Sequence, residues 1–141
     1  MKEKKKSFMA LMNADEREMI IFGQSYDSET YRLGGIRYCD ALTFEAVMTL
    51  IERGYLSPDD AQNDSPTTQE IVNFVVHHNP DNWYFHGYVV SPERRDVRVT
   101  ITGIASRKPI DGSDLIDFLK VFRYASILSA DEGESAYCWY D

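Results

Sequence analysis

Apolar positions along the chain follow two rhythms, and the change from one to the other marks its elements. Phe44, Val47, Met48 and Ile51 recur at i, i+3, i+4 and i+7, the single stripe of an amphipathic helix. They predict a helix from about Ala41 to Arg53, ended by Gly54. Ile71, Phe74, Val75 and His78 repeat the pattern in another helix. Thr67 and Glu70 open it as a capping box, Ser65-Pro66 is a competing start, and Asn79-Pro80 closes it. Leu115, Phe118, Leu119 and Phe122 define a last helix behind Asp111-Gly112-Ser113-Asp114. A first one starts at Asn13, with Glu16 in its opening turn and an apolar end at Met19 to Phe22 before Gly23, although a strand also fits those four residues. Ser57-Pro58-Asp59-Asp60 reads as a short helical turn.

Alternation with a period of two takes over elsewhere. Tyr31 to Cys39 reads as a strand bent or bulged at Gly34-Gly35, and Ala136 to Tyr140 as a terminal strand. Arg123 to Ser129 fits a helix extension or a strand equally well. The clearest signal is an aromatic hairpin, Trp83 to Val90 with Val97 to Ala105, joined by the loop Ser91 to Asp96. Strand parity puts Trp83, Phe85, Gly87 and Val89 on one face and Tyr84, His86, Tyr88 and Val90 on the other. In the second strand Val97, Val99, Ile101 and Gly103 form the core side, opposite Arg98, Thr100, Thr102 and Ile104. Which aromatic row joins that core depends on the register through the loop.

These elements predict an α+β fold: an antiparallel sheet of three to five strands around the hairpin, packed by about four helices. The chain of 141 residues, 43% hydrophobic and 27% charged, has the size and composition of one folded domain. The expected division is a flexible basic tail over residues 1–6 and a single domain over 7–141.

Charge narrows the choice of function. The formal net charge is −8, and it becomes more negative without the lysines of the tail (Lys2, Lys4, Lys5 and Lys6). Such a body repels phosphate backbones and anionic membranes and suits a basic protein partner or simple solubility. No run approaches the ~20 apolar residues of a membrane span. The apolar stretch after the lysines is too short for a signal peptide, and two cysteines are too few for a disulfide scaffold. A cytoplasmic protein without cofactor is expected.

Candidate chemistry is sparse. His77 and His78 are adjacent on a helix and point about 100° apart, which suits no shared metal; favourable contact with the helix C-terminus explains them better. Asp59 to Glu70 has the length of a calcium loop, but Ala61 and Asp64 stand where a ligand and the turn glycine are needed. No phosphate loop, dinucleotide fingerprint, serine elbow or zinc-protease motif occurs. The one catalytic pairing is Cys39, read as standing before a helix cap at Asp40, with His86 as general base. That is the broad logic of papain-like thiol hydrolases, in geometry only. A third residue to orient the imidazole is missing from the neighbouring strand.

The hairpin stands apart in charge. Residues 91–108 carry five Lys/Arg against two acids, whereas residues 54–93 carry six acids and neither lysine nor arginine. The residues thus favour a non-catalytic domain that binds another protein, in the manner of an immunity, inhibitor or adaptor protein. Contacts are expected from Trp83, Tyr84, Tyr88, Arg94 and Arg95, and from the acidic stretches Asp59, Asp60, Asp64 and Asp131, Glu132, Glu134. The alternatives are the Cys39/His86 hydrolase and a nucleic-acid binder using the basic hairpin and tail.

Overall fold

The computed structural model describes residues 13–141; the expected tail over residues 1–6 lies outside them. The elements run α1 (Ala14–Phe22), β1 (Ile36–Leu42), α2 (Phe44–Glu52), α3 (Thr68–His77), β2 (Trp83–Val90), β3 (Val99–Ser106), α4 (Gly112–Val121), β4 (Ile127–Ser129) and β5 (Tyr137–Trp139). The strands form one antiparallel sheet in the order β1-β2-β3-β5-β4, with the hairpin at its centre. The chain is therefore of the α+β class. Among the described residues, no helix is long and apolar enough to cross a membrane.

Local chemistry sets most of the helix ends. Thr67 accepts the amide of Glu70 while the Glu70 carboxylate accepts the amide of Thr67, so the capping box is complete. Gly23 adopts the left-handed conformation at φ 70° and returns its N–H to the Met19 carbonyl, which closes α1. Asn13 makes no side-chain cap there. α2 starts later than its pattern suggests: Thr43, not Asp40, caps it, accepting the amide of Ala46 at 3.1 Å. The buried stripe of α2 is also turned, with Val47 and Leu50 fully buried and Met48 exposed. Residues 127–129 form the edge strand β4 rather than an extension of α4.

One apolar cluster joins the helices to the sheet: Val47 and Leu50 of α2, Ile71, Phe74 and Val75 of α3, and Phe118 of α4 meet Trp83, Phe85 and Val89 of β2 and Val99, Ile101 and Ile104 of β3. Full burial of each large side chain stabilises by about 1.5–3 kcal/mol. Register settles the hairpin. Phe85 pairs with Ile104, but Gly87 pairs with Ile101, so β3 holds one extra residue at Thr102. This bulge reverses the parity of β3 partway along. Ile104 therefore faces the helices and Gly103 the opposite side, a correction to simple alternation.

Candidate functional site

The helix-free face of the sheet carries Tyr38 of β1, Tyr84, His86 and Tyr88 of β2, and Tyr137 and Trp139 of β5, because Tyr38 pairs with Tyr88, and Tyr84 with Ala105, which pairs with Tyr137. Tyr38 is exposed; Tyr84, Tyr88, Tyr137 and Trp139 are half-buried. At the centre lies His86, whose imidazole stacks on Tyr137 at 4.9 Å and on Trp139 at 5.2 Å between ring centroids.

Both neighbouring strands are irregular at His86. On β3 the extra residue Thr102 falls between its partner and the next. On β1, Cys39 pairs with Gly87 and Leu42 with Phe85, which leaves Asp40 and Ala41 opposite the one residue His86. Ala41 takes a positive φ of 55°, a conformation that costs a non-glycine residue roughly 1 kcal/mol. The β3 bulge also interrupts the ladder to β5, and His86 repairs it: its Nε2 lies 2.7 Å from the Cys138 carbonyl oxygen. A carbonyl only accepts, so the imidazole proton sits on Nε2. Gly103 makes room for this reach, since a Cβ there would stand 2.6 Å from Nε2. Burial pushes the His86 pKa below its ordinary value, against the carbonyl bond and the charge of Asp40. The ring is therefore neutral at pH 7.

Above it lies a slot of about 330 Å³ lined by Tyr38, Cys39, Asp40, His86, Tyr137 and Trp139. Tyr38 and Trp139 stand 6.1 Å apart between centroids with their planes at 44°. Asp40 is exposed and, among the described residues, supplies the only carboxylate in the lining.

The thiol–imidazole pairing does not hold in this geometry. Cys39 is in the middle of β1 and belongs to the apolar core, so no helix N-terminus stabilises its thiolate. Burial instead pushes its pKa up to about 12, and the Nε2 proton of His86 is committed to Cys138. Cys138 is likewise buried, its thiol also pushed up to about 12. Alkylation by iodoacetamide at pH 8 should therefore be slow at both thiols in the folded protein and complete only after denaturation. Mass spectrometry checks this; rapid single labelling of Cys39 under native conditions would contradict the buried placement.

The expected contact residues divide. Trp83 is a correction: it is 1% exposed, stacks on Phe118 at 5.6 Å and donates its indole N–H to the His78 carbonyl. Its size and β-strand setting suggest a contact residue, but parity places it in the core. Tyr84 lies beneath the Arg107 guanidinium at 4.0 Å. The Tyr88 hydroxyl donates to Gln62 and accepts from Arg98, which brings the loop of Asp59, Asp60 and Asp64 to the helix-free face. Arg94 clamps Asp96 through two nitrogens and the Gly34 carbonyl through a third contact of 2.7 Å. Arg95 is exposed on the hairpin loop, and Asp131, Glu132 and Glu134 are exposed in the β4–β5 turn. Sequence patterns mark Asp40 only as a helix cap and do not single out Tyr38, Tyr137 or Trp139. Only the alternation of Ala136 to Tyr140 hints at the last two.

A second, wider cleft of about 690 Å³ runs between α3 and α4 beside His77, His78 and Asp117. There His78, the residue after α3, meets Asp114 through Nδ1 at 2.6 Å, with Asp117 3.5 Å from Nε2, so the ring joins the end of α3 to α4. Among the described residues no group of three or more His, Cys, Asp or Glu is arranged to hold a metal ion. Compared with known proteins, the chain matches no family model, no curated protein and no solved structure.

Proposed function

We propose that this protein is a non-catalytic binding domain that recognises another protein through the helix-free face of its sheet. The observation that carries the reading is the row of aromatic rings on that face, Tyr38 exposed and Tyr84, Tyr88, Tyr137 and Trp139 half-buried. Aromatic side chains of this kind supply large contact area at low entropic cost and dominate binding energy at interfaces. Acidic groups border the row: the Asp59–Asp64 loop reaches it through Gln62, and Asp131, Glu132 and Glu134 extend from the turn before β5. With a net charge of −8, they steer a basic partner towards the face. An immunity, inhibitor or adaptor role fits this arrangement.

A nucleic-acid role has less support, because Arg94, Arg98 and Arg107 are already engaged with Asp96, Tyr88 and Tyr84. Affinity capture from native cells with the wild type and with a Tyr38→Ser/Tyr84→Ser variant, both verified as folded, tests the proposal. A basic protein held by the wild type and lost by the variant is expected. Equal retention by both, or retention of nucleic acid instead, would count against it.

A further inference from the structure

We propose that the slot between Tyr38, Asp40, His86, Tyr137 and Trp139 is a receptor for a guanidinium group, supplied by an arginine side chain of the partner. The inference rests on the binding role proposed above and names the chemistry that the face recognises.

The slot is built rather than left over. Its floor residue, His86, is the point at which the strands on both sides bulge, and such irregularities re-aim side chains and gather at functional positions. The β1 bulge holds Asp40 at the rim with its neighbour Ala41 at a positive φ of 55°. The walls are aromatic, and the imidazole, buried against Tyr137 and Trp139 with its Nε2–H bound to Cys138, supports them without adding a positive charge. A lining of π-faces with one carboxylate attracts a cation and repels an anion. Guanidinium suits it better than ammonium, because a planar cation can lie on an aromatic ring while its N–H fork meets a carboxylate through two bonds. The molecule already lays arginine on aromatic rings: Arg107 lies 4.0 Å from the Tyr84 ring and Arg37 3.5 Å from that of Phe22. Arg32, 5.7 Å from the Tyr38 ring, is an internal competitor for that ring.

The test is a titration of the whole chain followed by ¹H–¹⁵N NMR, which separates the two indole N–H signals. Trp139 reports the slot, and Trp83, buried in the core, is the control. N-acetyl-arginine amide should move the Trp139 signal saturably and leave Trp83 in place. Urea, a neutral planar analogue, should move neither, and N-acetyl-lysine amide should bind more weakly. Asp40→Asn should weaken the arginine amide roughly tenfold, about 1.4 kcal/mol, and Tyr38→Leu should weaken it independently of the charge. A Trp139 signal that stays fixed where a millimolar site would be filled overturns the proposal, as does equal binding by Asp40→Asn. Free arginine has the same net charge as the capped amide but adds an ammonium and a carboxylate that no residue within a chain carries, and it should bind no better; tighter binding would overturn the assignment to a partner's side chain. Should the amide bind while the cell extract yields no partner, the slot stands and the protein-binding role falls. Should a partner be held by the face while the amide leaves Trp139 unmoved, the binding role stands and the guanidinium slot falls.

Discussion

Replacing Arg17 with methionine should lower the stability of the fold by about 3–5 kcal/mol, the cost of leaving a buried charge without its partner. Arg17 and Glu18 are adjacent on α1 and are 4% and 1% exposed. The guanidinium donates to the Val90 carbonyl and to the Tyr31 hydroxyl, both at 3.0 Å, and the Tyr31 hydroxyl in turn donates to Glu18. Burial, then the bond to Glu18, pushes the Tyr31 pKa well above the ordinary phenol value. The phenol therefore stays a donor throughout the usual pH range. The network is incomplete: Arg17 Nε and one Glu18 oxygen lack hydrogen-bond partners and stand 3.8 Å apart. A half-satisfied buried pair contributes little net stability, yet removing one member exposes the full desolvation cost of the other. The double variant Arg17→Met/Glu18→Leu should accordingly recover most of the loss. In urea, with a slope of about 2 kcal/mol per molar, the single variant should shift the unfolding midpoint down by roughly 1.5 M or more. A shift under about 0.5 M, or a double variant no better than the single, would show that the pair is not the determinant described.

Gly103→Ala should be comparably severe, about 3 kcal/mol or more, because the clash is with backbone. A Cβ there would lie 2.0 Å from the Cys138 carbonyl oxygen and 2.6 Å from His86 Nε2. No rotamer relieves the first of these contacts, so β5 must move away from β3. Two bonds of that seam then report the damage: the Tyr140 amide on the Thr102 carbonyl at 2.8 Å, and the Ser106 amide on the Ala136 carbonyl at 2.9 Å. Hydrogen exchange should show both amides losing protection, while Val90, whose amide bonds the Arg98 carbonyl across the hairpin, keeps most of its own. Unchanged exchange at Tyr140 would mean that the seam tolerates the methyl group. The same substitution would also tilt His86 and so disturb the slot, which makes Gly103 a joint between fold and site.

The helices α3 and α4 are legible in the sequence because their information is local. The Thr67/Glu70 box acts within one turn, and Ile71, Phe74 and Val75 repeat at the helical period. The hairpin is legible for the same reason, to within two residues at the start of β3. Its core face is not, because a single extra residue, Thr102, inverts every position beyond it and leaves no mark in the alternation of Thr100 to Ile104. Asp40 reads as a helix cap because Asp is a favoured capping residue; the chain instead continues as strand to Leu42, and Thr43 takes the role. The candidate slot draws on residues 38–40, 86, 137 and 139, and no local pattern links segments so far apart.

By itself, then, the sequence determined the α+β class, the hairpin, the capping box of α3 and the acidic balance, since propensity, periodicity and charge act over a few residues or over the whole composition. Only the tertiary structure decided the buried fate of Trp83 and Cys39, the turned parity of β3 and the meeting of β1, β2 and β5 around His86. Those depend on register, where one inserted residue changes which face a side chain takes.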